Sequence, residues 1–428
     1  MPARRAGQGT PALISSRRSF LFLQGPQSFF FERVARALLA RGHRVHRINL
    51  NLGDQLFWHL PATGFRGTPE EWPDFVANLI ENRNVTDLIF LGDRRPYHIA
   101  AADAARARVA AVWATDLGYL RPGWLTLEQD GMTGRSHFPR DPAAIRALAE
   151  TFPEPDFTPI AEAPFRQLAL RDIAYNTAAV LGRRLYPHYR GHGLYHPFAE
   201  YAAWVKNTPR RLAARRATAA AKARLAAEHG SYFLFPLQLA TDFQLRAHSP
   251  FADARDAVRL VQQSFAASGG GRRLAVVAHP LDEGLIDWRR FTAGHDGVIF
   301  LEGGVTDALL AGAAGVVTVN STVGLTALRH GVPVKTLGTA IYDVTGLTDP
   351  GDLAEFWRDP RPPDPEFLNI FLRALIGATQ INGGYYPRTA QDRALPEFVA
   401  RLESGPLRLP LSLAGGSMLS CAPSRKIG

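Results

Sequence analysis

The sequence predicts an α/β protein made of two doubly wound, Rossmann-like domains that face a cleft. Strand-like and helix-like segments alternate through both halves of the chain, a pattern typical of parallel sheets with crossover helices. The length of 428 residues exceeds what one hydrophobic core usually organises. Polar clusters follow the predicted strands in both halves, and ligands in such sheets bind beyond the carboxyl ends of the strands. We therefore expect the functional site between the two domains.

The first domain is predicted over residues 19–225, of which residues 142–225 form a basic and mostly helical segment. Helical periodicity covers residues 29–41, where Gly42 supplies the usual terminator, and residues 99–108. Residues 1–18 are basic but lack the apolar core of a secretory signal, so we expect a disordered leader. The strands are predicted at residues 19–24, 45–50, 87–91 and 109–113.

The second domain is predicted over residues 226–403, followed by a Gly-, Ser- and Pro-rich tail at residues 404–428. Its most informative part is an apolar strand that breaks at Asn320-Ser321-Thr322 before a helical segment begins. A strand that enters a helix through such a turn presents backbone N–H groups and the positive end of the helix dipole, which suits a phosphate. Helix capping without a ligand explains the same residues. The strands are predicted at residues 232–237, 274–278, 298–301, 316–319 and 334–337.

The charge of the chain indicates an anionic partner. A formal net charge of +10 and a pI near 10.0 suit nucleic acid, acidic phospholipid or a phosphorylated substrate. Seven cations and no acid lie between Lys206 and Arg224, with aromatic residues upstream, which is typical of a membrane surface. A solvated helix face fits equally well, and nucleic acid is disfavoured because no nucleic-acid-binding motif accompanies the charge. The predicted membrane contacts are Arg210, Arg211, Arg215 and Arg216.

Two further features of the composition exclude whole classes of protein. The sequence contains no apolar stretch of the roughly 18 residues that a membrane-spanning helix needs. The single cysteine, Cys421, excludes internal disulfides and cysteine-ligated metal sites. We therefore expect a cytoplasmic protein.

Polar residues at the ends of the predicted strands are the candidates for the cleft. Those of the first half include Gln24, Gly25, Asn51, Asp93 and Asp116. Those of the second half include Gln238, Asp242, His248, His279 and the Asn-Ser-Thr turn. One polar loop carries little information, but a set drawn from both halves favours an enzyme with a cleft over a scaffold.

Five segments of the chain identify a family that it resembles. They are FLQGPQSFFFERVARALLARGHRVHRINLNLGD, LGDRRPYH, GYLRPGWLTLE, AHPLDEG and VTVNSTVGLTALRHGVPVKTLGTAIYDVTGLT. In order and spacing they resemble the capsule polysaccharide biosynthesis and export proteins of the KpsS type, from about Phe20 to Trp357. The resemblance implies a GT-B-like Kdo transferase that uses CMP-Kdo and a phosphatidylglycerol-type lipid. It also implies a peripheral protein on the inner face of the cytoplasmic membrane, with other capsule assembly proteins as partners.

The second domain supplies the candidate contacts to the donor. Departure of CMP leaves charge on a phosphate oxygen, so hydrogen-bond donors should already be aimed at it. The predicted donor-binding residues are His279, Pro280, Glu302, Gly303, Asn320, Ser321 and Thr322. Pro280 holds His279 in an extended conformation, and Glu302 with Gly303 suits a ribose. A core histidine and an ordinary glycine turn are the structural alternatives.

The first domain supplies the candidate catalytic residues Asp93, Asp116, Arg121 and Glu128. Arg121 suits the Kdo carboxylate, because arginine binds carboxylates through two parallel hydrogen bonds, and Glu128 suits an acceptor hydroxyl. A structural ion pair is the alternative for Asp93, and a surface position is the alternative for Glu128. In the family that the chain resembles, two successive acids usually precede the Gly-aromatic-Leu-Arg motif. In related retaining β-Kdo transferases, the second of them is the suspected nucleophile. Here the second position is Leu117, so Asp116 or another carboxylate serves, or the chain is impaired.

We expect no metal and no cofactor, because helix termini neutralise the leaving phosphate in GT-B enzymes. Two other functions remain open. A non-catalytic component of a capsule assembly complex, which binds nucleotide sugar or lipid, is compatible with Leu117. An epimerase or dehydrogenase is disfavoured, because neither G-x-G-x-x-G nor a P-loop follows the first strand.

Overall fold

The computed structural model describes residues 17–158, 160, 163–191, 193, 196–239, 249–282 and 284–405. Its strands are β1 Ser19–Phe22, β2 Arg44–Asn49, β3 Thr63–Gly64, β4 Asp87–Leu91, β5 Ala111–Leu117, β6 Trp124–Gln129, β7 Tyr232–Pro236, β8 Arg273–Val277, β9 Val298–Leu301, β10 Gly315–Thr318, β11 Val334–Thr336 and β12 Gln380–Asn382. Its α-helices are α1 Phe30–Ala40, α2 Leu52–Leu56, α3 Trp72–Asn82, α4 Pro96–Arg106, α5 Pro142–Glu150, α6 Phe165–Leu181, α7 Pro197–Ala227, α8 Ala254–Ser268, α9 Trp288–Thr292, α10 Asp307–Gly312, α11 Thr322–Arg329, α12 Leu353–Arg358, α13 Pro365–Thr379 and α14 Arg388–Ser404.

Two sheets organise the chain. The first has the strand order β12-β6-β5-β4-β1-β2-β3, and the second has the order β11-β10-β7-β8-β9. All pairs of the second sheet are parallel, whereas β6 and β12 join the first sheet antiparallel. Successive residues of one strand enter different cores, as Phe20 and Leu21 do, so both faces of the sheet are covered. This architecture confirms the predicted α/β, GT-B-like class.

The fourth predicted strand is wrong at both ends. It was expected over residues 109–113, but β5 begins at Ala111 and continues to Leu117. Val109 has a φ of 57° and therefore lies in a turn after α4. The polar end of β5 is held by antiparallel pairing, which sets Asp116 opposite Thr126 of β6. Asp116 is consequently a strand residue and not part of the loop that follows.

The predicted domain limits are wrong at both termini. The second domain was expected to continue to residue 403, but β12 pairs with β6, and Phe398 of α14 packs against Phe30 of α1 with ring centroids 5.2 Å apart. Residues 380–404 therefore complete the first half. Arg18, expected in a disordered leader, forms an ion pair with the fully buried carboxylate of Asp87. The predictions for residues 1–16 and 406–428 lie outside the described residues.

The basic segment between the sheets is helical, as predicted, but it is divided between the two halves. Helix α6 packs against α2 of the first half, whereas α7 packs against α10 of the second. The Nζ of Lys222 on α7 donates to the carbonyl of Gly304 at 2.7 Å. Within the described ranges, no helix combines the length and the hydropathy that crossing a bilayer requires.

Candidate active site between the two sheets

A cavity of about 460 Å³ lies where the carboxyl ends of β5, β7, β8 and β10 meet. Both halves of the chain contribute to its wall, as expected for ligand sites in open α/β sheets. Eight of the residues predicted from the sequence line this cavity. They are Asp116, Arg121, Gln238, His279, Pro280, Asn320, Ser321 and Thr322.

The Asn-Ser-Thr turn joins β10 to α11 at the wall of this cavity. The Oγ of Ser321 caps the helix by accepting the N–H of Val323 at 3.2 Å. The Oδ1 of Asn320 accepts from the amide of Gln238 at 2.8 Å. The hydroxyl of Tyr342 donates to the carbonyl of Ser321. The turn is thus held rigidly, and it presents the positive end of an eight-residue helix at the cavity wall.

His279 follows β8 and lies across the cavity from the first half of the chain. Burial lowers the pKa of its imidazole to about 4, and the charge of Arg121 contributes to the decrease. The imidazole is therefore neutral at pH 7. Its Nδ1 accepts the N–H of Leu281 at 3.1 Å, so the neutral ring carries its proton on Nε2. His279 can donate a hydrogen bond without being charged.

Asp116 is the cavity-lining carboxylate that the first half provides. Burial raises its pKa, while the N–H of Leu117 and the charges of Arg121 and Arg95 act in the opposite direction. Its Oδ1 accepts that Leu117 N–H at 2.7 Å. The Leu117 side chain is 40% exposed and also lines the cavity. Both positions therefore reach the site, but only Asp116 brings a carboxylate.

Glu128 lies behind the wall and reaches the cavity through Tyr119. The Tyr119 hydroxyl donates to Glu128 at 2.7 Å and accepts the N–H of Thr133 at 2.7 Å. The hydroxyl of Ser136 also donates to Glu128. Burial raises the pKa of Glu128 to about 7 against these hydrogen bonds. Glu128 is thus neither a surface residue nor a direct member of the cavity wall.

Asp93 is likewise buried behind the wall. Its Oδ2 accepts the N–H of Met132 at 3.1 Å, and its Oδ1 has no hydrogen-bond partner among the described residues. Its charge acts on both Asp116 and Glu128, whose pKa values it raises. Asp93 is thus an electrostatic neighbour of the site and does not line it.

Glu302 and Gly303 were expected at the donor site, but they line a separate cavity of about 560 Å³. The Glu302 carboxylate lies 3.7 Å from Arg210 and 3.5 Å from Arg289, and these cations hold it there. The two cavities adjoin, because Ala278 and Pro280 line both. Glu302 and Gly303 therefore lie beside the main cavity, and their contact with the donor stays a prediction.

Gln24 and Asn51 follow strands as predicted, but α6 covers them. The amide of Gln24 donates to the hydroxyl of Tyr175 at 2.9 Å. Asn51 donates to the same hydroxyl at 2.9 Å and caps α2 by accepting the N–H of Asp54. Gly25 packs so closely on Phe31 that a Cβ would come within 2.4 Å of the ring. These three residues form structural contacts away from the cavity, which corrects the prediction.

The remaining predicted residues fall in three places. Asp242 and His248 lie outside the described residues, as does the side chain of Arg211. Arg210 and Arg215 line the second cavity. Arg216 is exposed on α7.

Two residues of the site were missed by sequence reasoning. Tyr119 lies in the quoted GYLR motif, where an aromatic residue directly after a strand end was the available signal. Tyr342 lies 21 residues after Ser321 and has no local signal. The hydroxyl of Tyr342 also explains Gly324, since a Cβ at that position would lie 2.1 Å from it.

Comparisons with known proteins identify relatives of this chain. The family model described as capsule polysaccharide biosynthesis protein matches residues 86–386. The chain is 34% identical over 395 residues to the capsule polysaccharide modification protein LipB of Neisseria meningitidis, an alignment that covers 87% of this chain and 93% of LipB. It is 31% identical over 390 residues to the capsule polysaccharide export protein KpsS of Escherichia coli, covering 89% of this chain and all of KpsS.

Among solved structures, the β-Kdo 2,7 transferase KpsC of Thermosulfurimonas dismutans aligns with 91% of this chain and 99% of its own, at 13% identity and a TM-score of 0.41. The sequence relatives are much closer, and they extend over nearly the whole chain. The chain therefore belongs to the capsule polysaccharide biosynthesis protein family.

Proposed function

We propose that this protein transfers Kdo from CMP-Kdo to a phosphatidylglycerol-type lipid during synthesis of the capsule linker. One observation carries the proposal. A capped helix start and a neutral His279 on one side of a cavity face Asp116 and Arg121 on the other. The first pair suits a leaving phosphate, and the second suits a sugar that bears a carboxylate.

The second half would stabilise the leaving group. When the bond between the anomeric carbon and the phosphate oxygen breaks, the bonding electrons leave with CMP and the oxygen becomes more negative. The backbone N–H of Thr322 and the Nε2–H of His279 can donate to it, since both residues line the cavity. The N–H of Ser321 already donates to the Oγ1 of Thr318 at 3.2 Å. Donors that are fixed before the reaction stabilise such charge most effectively.

The first half would hold the sugar and the acceptor. Arg121 pairs with the Kdo carboxylate, and the carboxylate of Asp116 meets the anomeric carbon or receives the proton of the acceptor hydroxyl. If Asp116 receives the proton, the acceptor oxygen bonds to the anomeric carbon as CMP departs. If Asp116 instead bonds to the anomeric carbon as CMP departs, the acceptor oxygen replaces it in a second step and its proton passes to the phosphate of CMP. Glu128 acts through the Tyr119 hydroxyl, because that hydrogen bond is its link to the cavity.

The acceptor lipid would approach along the second cavity. Arg210 and Arg215 line that cavity, which adjoins the main one at Pro280, so both can meet the phosphate of the acceptor. We accordingly propose a peripheral position on the inner face of the cytoplasmic membrane, alongside other capsule assembly proteins. The reaction needs no metal in this scheme, because helix α11 and Arg121 balance the developing charge.

The test is incubation of the protein with CMP-Kdo and a phosphatidylglycerol acceptor, with and without a chelator. We expect a Kdo-lipid product in both, and none with the Asp116→Ala variant. Activity that is lost on chelation and restored only by Mg²⁺ or Mn²⁺ would contradict metal independence. Undiminished product from the variant would remove Asp116 from the mechanism.

A non-catalytic role is the second candidate, and Leu117 is the observation that favours it. This side chain lies in the cavity at the position where an acid was expected. A non-catalytic component would bind CMP-Kdo or the lipid without turnover. Saturable binding of CMP by the wild-type protein, together with no product under any acceptor condition, would select this role.

A further inference from the structure

Helix α7 carries an exposed apolar stripe, whose last member, Leu212, also borders the second cavity. Phe198, Val205 and Leu212 recur every seven residues, and their side chains are 41%, 65% and 63% exposed. Seven residues are close to two helical turns, so the three side chains share one face. Ala202 and Pro209, which lie between them on that face, are also exposed. We call this set of five residues the outer stripe.

The other faces of α7 are used by the fold. Tyr201 donates to Asp172 of α6, and Lys222 donates to the second half at Gly304. Leu225 is buried in the core of the second sheet. The exposure of the outer stripe is therefore not the result of a helix detached from the protein.

Exposed apolar side chains are concentrated in this part of the molecule. Of the sixteen large apolar side chains that are exposed in the described residues, eight lie between residues 165 and 212. Scattered apolar residues are normal on a soluble surface, whereas a concentration of them indicates an interaction site. The eight residues are Phe165, Leu170, Ile173, Leu181, Leu185, Phe198, Val205 and Leu212.

The charge of α7 distinguishes between the possible occupants of the stripe. The helix carries seven cations and one acid, Glu200. Arg216 continues the outer stripe four residues after Leu212 and is exposed. A second copy packed stripe against stripe would bring two strongly positive helices together, which is unfavourable. A surface rich in anionic lipid has the complementary charge, and each cation near it contributes about 1 kcal/mol.

We propose that the outer stripe is the surface through which this protein meets a bilayer that contains anionic lipid. Phe198, Val205 and Leu212 enter the interfacial layer, and the exposed cations of α7 meet lipid phosphates. This proposal rests on the proposed function, because the lipid acceptor is what brings the protein to a membrane. The binding itself requires neither donor nor turnover.

The test is sedimentation with vesicles of phosphatidylcholine alone and of phosphatidylcholine with phosphatidylglycerol. We expect the wild-type protein to bind only the anionic vesicles. The double variant Phe198→Gln/Val205→Gln keeps the charge, uses a good helix former and leaves the second cavity untouched. We expect its binding to fall by about tenfold or more because two inserted apolar side chains are lost. The matched control is Leu260→Gln on α8, where a 42% exposed leucine lies outside the stripe. It should bind like the wild type.

Circular dichroism and thermal melting should show that both variants remain folded. Wild-type protein that ignores anionic vesicles, or a double variant that binds them normally, would overturn the proposal. So would a wild-type dimer that the double variant abolishes while vesicle binding is absent, because the stripe would then belong to a second copy.

A separate assay with a short-chain, water-soluble phosphatidylglycerol distinguishes this proposal from the proposed function. If the stripe acts in docking, the double variant should keep its turnover on the soluble acceptor and lose it on vesicles. Vesicle binding that depends on the stripe, with no turnover on either acceptor, would support the docking surface and remove the transferase function.

Discussion

The two walls of the central cavity use different chemistry. The wall from the second half consists of a capped helix start and a neutral imidazole, and hydrogen bonds within that half hold it. The wall from the first half brings Asp116, with Glu128 and Asp93 close behind it. Burial raises the pKa of both Asp116 and Glu128. The wall from the second half is preorganised and carries no net charge. The wall from the first half holds acidic side chains in a poorly solvated environment.

This difference indicates how the work is divided. Fixed dipoles suit a charge that grows during the reaction, because they need no rearrangement. Acids whose pKa is raised suit proton transfer near neutral pH, because a group is most effective when its pKa lies close to the working pH. We therefore expect substitutions in the first wall to lower turnover alone, and substitutions in the second wall to weaken nucleotide binding, with or without a loss of turnover.

The largest expected effect is that of Asp116→Asn. The amide keeps the shape but cannot attack carbon or accept a proton, so transfer should fall by about 10³-fold or more. Binding of CMP, measured by calorimetry, should stay within about tenfold of wild type, because a coupling of one pKa unit corresponds to about 1.4 kcal/mol. Asp103→Asn, on the exposed side of α4, is the control. A parallel loss of CMP affinity would contradict the division between the walls.

The next effect is that of His279→Ala. Loss of one preorganised donor to the leaving phosphate should lower turnover by about 10²-fold and weaken CMP binding as well. Since the pKa of His279 is lowered to about 4, its protonation should not appear in the rate profile between pH 5 and 8. The exposed His295 provides the control His295→Ala. A rate that changes with a pKa near 6.5 in wild type and not in the variant would contradict a neutral His279.

Long-range contacts mark the limit of what the sequence predicts about the fold. The strands Asp87–Leu91 and Val298–Leu301 have the predicted bounds, because a short apolar run between turns is a local signal. Strand β12 has three residues, and its position is set by pairing with β6 about 250 residues earlier. Nothing within residues 380–382 indicates that pairing, so the chain's return to the first sheet could not be predicted.

The residues of the site also divide into those with a local signal and those that depend on long-range contacts. The turn at Asn320-Ser321-Thr322 and His279 were predictable, because each polar group lies within a few residues of the end of a strand. Gln24 carried the same signal, but Tyr175 of α6 occupies its amide. The sequence identifies which side chains follow a strand but not which helix packs over them. Tyr342 was missed for the same reason.

The third effect concerns the stability of the fold and its dependence on pH. The pKa of Glu128 is about 7 in the fold, above its ordinary value of 4.5. Above pH 4.5 the unfolded chain therefore loses a proton that the folded protein keeps, so stability should decrease as the pH rises from about 4.5 to about 7. The total is on the order of 3 kcal/mol at about 1.4 kcal/mol per pKa unit.

Glu128→Gln should remove that dependence, because the amide has no proton to lose. Denaturant unfolding of both proteins between pH 4.5 and 8 measures it. The buried Gln262 of the second half, changed to Glu, is a useful opposite control, since a new buried acid should add the same kind of pH dependence. Identical pH profiles for wild type and Glu128→Gln would show that Glu128 is ionised in the fold.

The smallest expected effect is that of Ser321→Ala, and it tests the second wall most directly. The variant removes the cap on Val323, which typically costs about 1 kcal/mol of stability. Thr306→Ala removes an equivalent hydroxyl cap from α10, where Thr306 accepts the N–H of Leu309 at 3.3 Å. Thermal unfolding should therefore show similar losses in both variants. CMP affinity should fall by about fivefold in Ser321→Ala alone, the equivalent of about 1 kcal/mol.

The comparison between the two caps separates a ligand role from a structural one. If the turn serves only to start a helix, the two variants should bind CMP equally, and the phosphate would have to lie elsewhere. If the turn holds the phosphate, the loss of affinity should follow Ser321 and be absent from Thr306, although both helices lose the same kind of cap. Because stability is matched within the pair, a difference in CMP binding can be assigned to the wall of the cavity.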